Sequence, residues 1–163
     1  MKRFVGLLLT ILLLSGCAPV DYETMGDDYL QPEAKTAANL LVELPPDATV
    51  LTMESGESIW LCDGYTVSVQ TLTSGDLDAT LRQVTGYGKD QLAVMKWQQE
   101  GLKRYECSWV CAGEGGDQVG RTVILDDGQY HYALSLLTDA QNVAQLKEDW
   151  GRMLDTVSLD IAP

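Results

Sequence analysis

Along most of the chain, apolar positions recur with period two, which predicts strands rather than helices. Residues 49–53 and 57–62 are two such runs about a Glu-Ser-Gly-Glu turn at 54–57. After Asp63-Gly64, a turn dipeptide, Tyr65, Val67 and Val69 alternate with Thr66, Ser68 and Gln70. A short strand is predicted at 92–97. The run 102–112 then sets Tyr105, Cys107, Trp109 and Cys111 against Arg104, Glu106 and Ser108. Residues 118–125 follow, and Asp126-Asp127-Gly128 is a hairpin signal into 129–137. There Tyr130, Tyr132, Leu134 and Leu136 oppose His131, Ala133 and Ser135.

Three segments carry a helical period instead. Leu77, Leu81 and Val84 share a face, with Asp76 and Asp78 at the start where the helix dipole favours acid. Val143, Leu146, Trp150, Met153 and Val157 form a longer stripe, and Thr138 with Gln141 has capping-box spacing. Gly151 falls near that apolar seam, where a small residue permits close packing. Residues 32–44 read as a short helix that opens at Pro32, buries Ala34, Ala37, Leu41 and Leu44, and stops at Pro45-Pro46.

Hairpin-joined strands with the helices set apart predict an α+β fold. It is an antiparallel sheet of about six or seven strands with one internal and one C-terminal amphipathic helix. The predicted organisation is a cleaved leader at 1–16, a lipid-bearing cysteine, acidic tether and short helix at 17–44, and one globular domain at 45–163. The order of elements, from the Pro-Pro entry to a closing helix that ends in residues 154–159, is similar in layout to the PsbP/Mog1 group of α/β/α sandwiches. That resemblance implies a non-enzymatic assembly or binding module and supplies no catalytic residues.

The N-terminus has a different logic. Lys2 and Arg3 precede an apolar run from Phe4 to Leu14, and Leu14-Ser15-Gly16-Cys17 follows. Basic, apolar and small in that order is the layout of an export signal. The run is about half of the roughly 20 residues that a spanning helix needs. The quartet resembles the lipobox of bacterial lipoprotein precursors. That resemblance implies cleavage before Cys17, a diacylglycerol thioether on its sulfur, and further acylation of the new amine in many bacteria. Two or three acyl chains anchor lastingly where one holds only marginally. The location implied is the extracytoplasmic face of a cell membrane, periplasm-facing in a double-membrane host.

Composition adds mainly exclusions. The 163 residues are 45% hydrophobic, enough for a packed core. A formal charge of −13, which becomes −15 once Lys2 and Arg3 leave with the signal, excludes binding nucleic acid through its phosphates. One histidine rules out multi-histidine metal sites. No Gly-x-Ser-x-Gly, Ser-x-x-Lys or His-Glu-x-x-His pattern is present, and no cofactor motif, so no cofactor is expected. Gly113-Glu114-Gly115-Gly116-Asp117 lacks a P-loop lysine and reads as a hairpin loop.

The candidate chemistry is therefore sparse. With Cys17 lipidated, Cys62, Cys107 and Cys111 remain. Cys107 and Cys111 on one strand lie about 13 Å apart, beyond disulfide reach. Cys62 could bridge to one of them across the sheet, or all three could be buried thiols. A three-thiolate metal site lacks the tight Cys-x-x-Cys chelate. His131 mid-strand is expected to be a satisfied sheet histidine, with a base partnered by Ser135 or an acid as the enzymatic alternative. Among the tryptophans Trp60, Trp97, Trp109 and Trp150, Trp97 is the one expected at a binding surface, since Lys96 and Gln98-Gln99 flank it. The expected function is a membrane-anchored, non-catalytic module for a protein or cell-envelope ligand. The alternatives are a small exported hydrolase and a cation- or metal-binding lipoprotein.

Overall fold

Because successive strand residues point to opposite faces, the alternating runs build a sheet with two buried sides. The computed structural model describes residues 36–160, Ser55 excepted. Seven antiparallel strands are β2 (Thr49–Glu54), β3 (Glu57–Cys62), β4 (Tyr65–Thr73), β5 (Met95–Gln99), β6 (Leu102–Gly113), β7 (Gly116–Asp126) and β8 (Tyr130–Asp139). Their spatial order is β2-β3-β4-β8-β7-β6-β5. Helix α1 (Leu77–Thr85) follows β4, and helix α2 (Val143–Asp155) follows β8. A separate two-stranded sheet joins β1 (Asn39–Leu41) to β9 (Ser158–Asp160).

Each helix closes one side of the sheet. Leu81 of α1 packs with Tyr105, Cys107, Ile124 and Ala133. Trp150, Met153 and Leu154 of α2, with Val157 just beyond it, pack on Val67, Val123, Leu125, Leu134 and Leu136. The neighbours Val123 and Ile124, or Ala133 and Leu134, thus serve opposite cores. The α+β class and the strand count follow the period-two reading.

Local signals fix α1 well. The Asp76 carboxylate accepts the Asp78 backbone N–H at 3.1 Å as an N-cap. Asp78 pairs with Arg82 one turn on, at 2.8 Å. Gly86 ends the helix at φ 81°, a left-handed conformation that glycine adopts without a Cβ penalty.

Four expectations are corrected. The described part of the 32–44 helix is extended: Ala37 and Leu44 pack on the α2-side core as expected, but so do Ala38, Leu40 and Val42, while Leu41 is exposed, a period of two from Ala38 onward. This stretch therefore belongs with the core rather than with a tether, and Pro32 and Ala34 lie outside the described residues. The closing helix stops at Asp155, and its last predicted turn is β9. The Thr138–Gln141 capping box does not form. Instead the Thr138 hydroxyl donates to the Gly64 carbonyl at 2.6 Å, a short 3-10 turn spans Ala140–Asn142, and α2 starts without a side-chain cap. The 92–97 strand is displaced to β5, because Leu92 and Val94 turn toward the α1-side core.

Candidate functional site

The polar side chains concentrate beneath α1. His131, 2% exposed, lies on β8 with its ring between β8 and the start of α1. Its Nδ1 is 2.7 Å from Thr80 Oγ1 and its Nε2 is 3.3 Å from Ser74 Oγ. The buried Asp126 carboxylate is 3.8 Å from the same Nε2 and also pairs with Lys103 at 3.1 Å. Burial holds the His131 pKa below its ordinary value, and the Asp126 carboxylate works against that shift. The imidazole is therefore neutral near pH 7, with its two hydroxyl neighbours satisfying both nitrogens.

This geometry is not that of a nucleophile triad. Such a site needs the nucleophile on one ring nitrogen and the orienting acid on the other. Here Ser74 and Asp126 share Nε2, the carboxylate at 3.8 Å is beyond hydrogen-bond distance, and the hydroxyl on Nδ1, Thr80, is buried. Ser135, the sequence candidate, is engaged elsewhere: its Oγ is 2.8 Å from Thr122 Oγ1, which accepts the Trp109 indole N–H at 3.0 Å. Three clefts occur among the described residues, and the third borders this network through Leu72, the register partner of His131. One of about 310 Å³ is walled by Glu43, Pro45, Pro46, Tyr65 and Asp149. A second of similar size lies between Leu61, Gln118 and Asn142, and a third by Glu57, Gln70 and Gln83. None of the three is lined by His131.

Trp109 itself rests on Gly120, its partner in the β6–β7 register. A Cβ at Gly120 would fall inside the indole ring, so the close approach requires glycine there. Trp150 is buried, while Trp60 and Trp109 are half-buried against the two cores. Trp97 stands apart at 40% exposed. Its ring centroid is 5.4 Å from the Arg104 guanidinium directly across the strand pair.

Arg104 had no place among the expected site residues, yet it ties the sheet to the closing helix. It is 3% exposed and donates to Gln99 Oε1 at 2.7 Å, to Glu106 Oε1 and to the Leu154 carbonyl at 2.7 Å. The Gln99 amide in turn donates to the Val157 carbonyl at 3.0 Å. One side of Trp97 thus covers a structural arginine, and the other stays open beside the exposed Met95. The sequence signal was an arginine alternating among strand residues that face a core.

The three described cysteines are free thiols. Cys62 is buried in the α2-side core and Cys107 in the α1-side core. Four strand intervals separate β3 from β6, about 19 Å at the usual spacing, so the cross-sheet bridge is beyond reach. Burial pushes the Cys107 thiol up to about 11, and it raises Cys62 as well. Both are protonated and unreactive at neutral pH. Cys111 is half-buried. Cys17 and the quartet around it lie outside the described residues. No described helix is long and apolar enough to cross a membrane.

The structure thus defines an α+β sandwich with one helix on each side of an antiparallel sheet. No protein-family model matches the chain, and no curated protein matches it. Among solved structures it is similar to a Bacteroides thetaiotaomicron protein at 10% identity and a TM-score of 0.49, over 75% of this chain and 45% of that one. It is similar to LpqN, involved in cell envelope biogenesis of Mycobacterium tuberculosis, at 10% identity and 0.48, over 76% and 84%. It is also similar to the Saccharomyces cerevisiae Ran-binding protein Mog1p at 10% identity and 0.47, over 77% and 96%. The chain spans less than half the length of the Bacteroides protein.

Proposed function

We propose that this is an extracytoplasmic lipoprotein, anchored through Cys17, whose domain binds or assembles with a protein or cell-envelope ligand and performs no catalysis. The supporting observation is the use of the buried polar groups. His131 and its neighbours Ser74, Thr80 and Asp126 hold α1 to the sheet. An active site needs convergent polar groups around a cleft that substrate can enter. The basic, apolar and small N-terminal segment supports the anchoring.

Two experiments test the reading. Cys17→Ser is expected to release the protein from membranes or leave an unprocessed precursor on fractionation; a correctly sized, membrane-bound Cys17→Ser protein would argue against lipidation. Chemical cross-linking of the full-length protein in its native membrane is expected to capture a stoichiometric partner.

A further inference from the structure

The two outer strands of the seven-stranded sheet are built differently. An open edge presents unpaired backbone donors and acceptors, and proteins blunt such edges with charge, proline or short length. β5 is blunted. It has five residues, carries Lys96 at its second position, and has Trp97 held against Arg104. β2, Thr-Val-Leu-Thr-Met-Glu, has no charge before its last residue. Among the described residues it pairs only with β3. Val50, Leu51 and Met53 on it are 50%, 55% and 68% exposed.

Its local geometry gathers this apolar surface. The register shifts between Val50 and Thr52, with Leu51 as the extra residue. Val50 then opposes Trp60 and Met53 opposes Ser58. Trp60 and Ser58 pair with Val67 and Val69 on the α2 side, so the bulge brings Val50 and Met53 to one face. Without it, an odd separation of three would place them on opposite faces.

Charge indicates what fits there. Residues 36–81 contain seven Asp or Glu and no Lys or Arg. Lys96 and Lys103 are at the opposite edge of the sheet, and Arg152, which shares a cleft with Pro45 and Pro46, is paired with Asp149. A second copy pairing antiparallel through β2 would set two such stretches without Lys or Arg against each other, like charge against like. A basic strand meets no such opposition.

We propose that β2 is a strand-addition site for an extended segment of another protein, apolar on alternate positions and flanked by Lys or Arg. Main-chain pairing supplies the binding, and the Val50–Met53 face and the acidic surroundings select the sequence. The inference rests on the proposed binding role and names the surface that carries it.

The test uses the full-length chain in neutral detergent at low salt and a soluble nine-residue peptide, Lys-Lys-Val-Thr-Val-Thr-Val-Lys-Lys. Hydrogen exchange read by mass spectrometry is expected to slow at least fivefold over residues 49–54 at saturation. The same peptide with glutamate at all four flanks is expected to bind at least tenfold more weakly. The Val50→Lys/Met53→Lys variant, altered at exposed positions, is expected to lose at least tenfold in affinity for the lysine peptide with an unchanged melting temperature. Absence of protection at 49–54 with millimolar peptide would overturn the proposal, as would protection at 95–99 instead or equal binding of both peptides. Concentration-dependent dimers abolished by Val50→Lys/Met53→Lys would overturn it in favour of a second copy. If no peptide binds while membrane cross-linking still captures a partner, this inference fails and the binding role stands.

Discussion

The side of the sheet under α2 and the side under α1 solve the same burial problem with different chemistry. Under α2 the contacts are almost wholly apolar: Val67, Leu134, Leu136, Trp150 and Val157 are each at most 1% exposed. The charged intrusion is Arg104 with its partner Glu106, placed at the margin where the arginine reaches the end of the helix. Under α1 the strands bury His131, Thr122, Ser135 and Asp126, and the nine-residue helix contributes Thr80 as well as Leu81. A short helix with one fully buried leucine offers little apolar area, and hydrogen bonds supply the remaining cohesion and orientation. Buried polar groups therefore need not signal catalysis. In this fold they fasten the smaller helix.

The contrast can be broken most severely from the apolar side. Trp150→Ala is expected to cost about 3–5 kcal/mol in denaturant unfolding, because the cavity beside Tyr65 cannot close fully. Arg104→Ala follows at about 3 kcal/mol, since Glu106, Gln99 and the Leu154 carbonyl lose their shared donor. It should also raise hydrogen exchange in the last turn of α2 before that of the central strands. Thr80→Val is expected to cost about 1–3 kcal/mol by leaving His131 Nδ1 buried without a partner. His131→Leu/Thr80→Val should be less destabilised than the sum of its two single variants, and a double-mutant cycle measures that difference. Additive costs would show that the hydroxyl and the ring do not depend on each other.

Acid sharpens the same comparison. The folded His131 pKa is depressed, so below its unfolded value of about 6.5 the unfolded chain takes up a proton that the folded chain resists. The contribution is complete above that pH and is lost as pH falls toward the folded value. Stability should therefore decline below about pH 6.5, and His131→Gln should flatten that part of the profile. The smallest effect concerns the thiols. Alkylation of the native domain is expected to reach Cys111 first, with Cys62 and Cys107 reacting only on unfolding. Rapid labelling of Cys107 would contradict its place beneath α1.

The alternation legible in 102–112 and 129–137 was enough to define β6 and β8 and to separate their two faces. The helix stripe of Leu77, Leu81 and Val84 was enough for α1, because its cap and stop signals are local. Where sequence reading failed, the deciding partner was distant. Residues 38–44 satisfy a loose helical period as well as a strict period of two, and only pairing with β9, more than a hundred residues away, selects the strand. Thr138 has the spacing of a cap, yet its hydroxyl is taken by Gly64 on the neighbouring turn. Arg104 was legible as a strand residue but not as a clamp, because its acceptors are Gln99, Glu106 and a helix terminus. His131 was expected to be satisfied within the sheet. Its partners, Thr80 and Ser74, come from α1 and its approach rather than from the strand carrying Ser135.

The most direct measurement concerns Ser74, the hydroxyl nearest His131 Nε2 and thus the best nucleophile an enzyme here could use. Ser74→Ala removes that oxygen at a half-buried position and leaves the Thr80 hydrogen bond in place. Full-length wild type and Ser74→Ala would be returned to a strain lacking the protein, then compared by cross-linked partner yield and rescue of the cell phenotype, with melting temperatures taken alongside. A structural network predicts equal partner yield and equal rescue. A Ser74→Ala protein that melts like the wild type and keeps its partner yield yet fails to rescue would contradict the account and point to chemistry at Ser74 and His131.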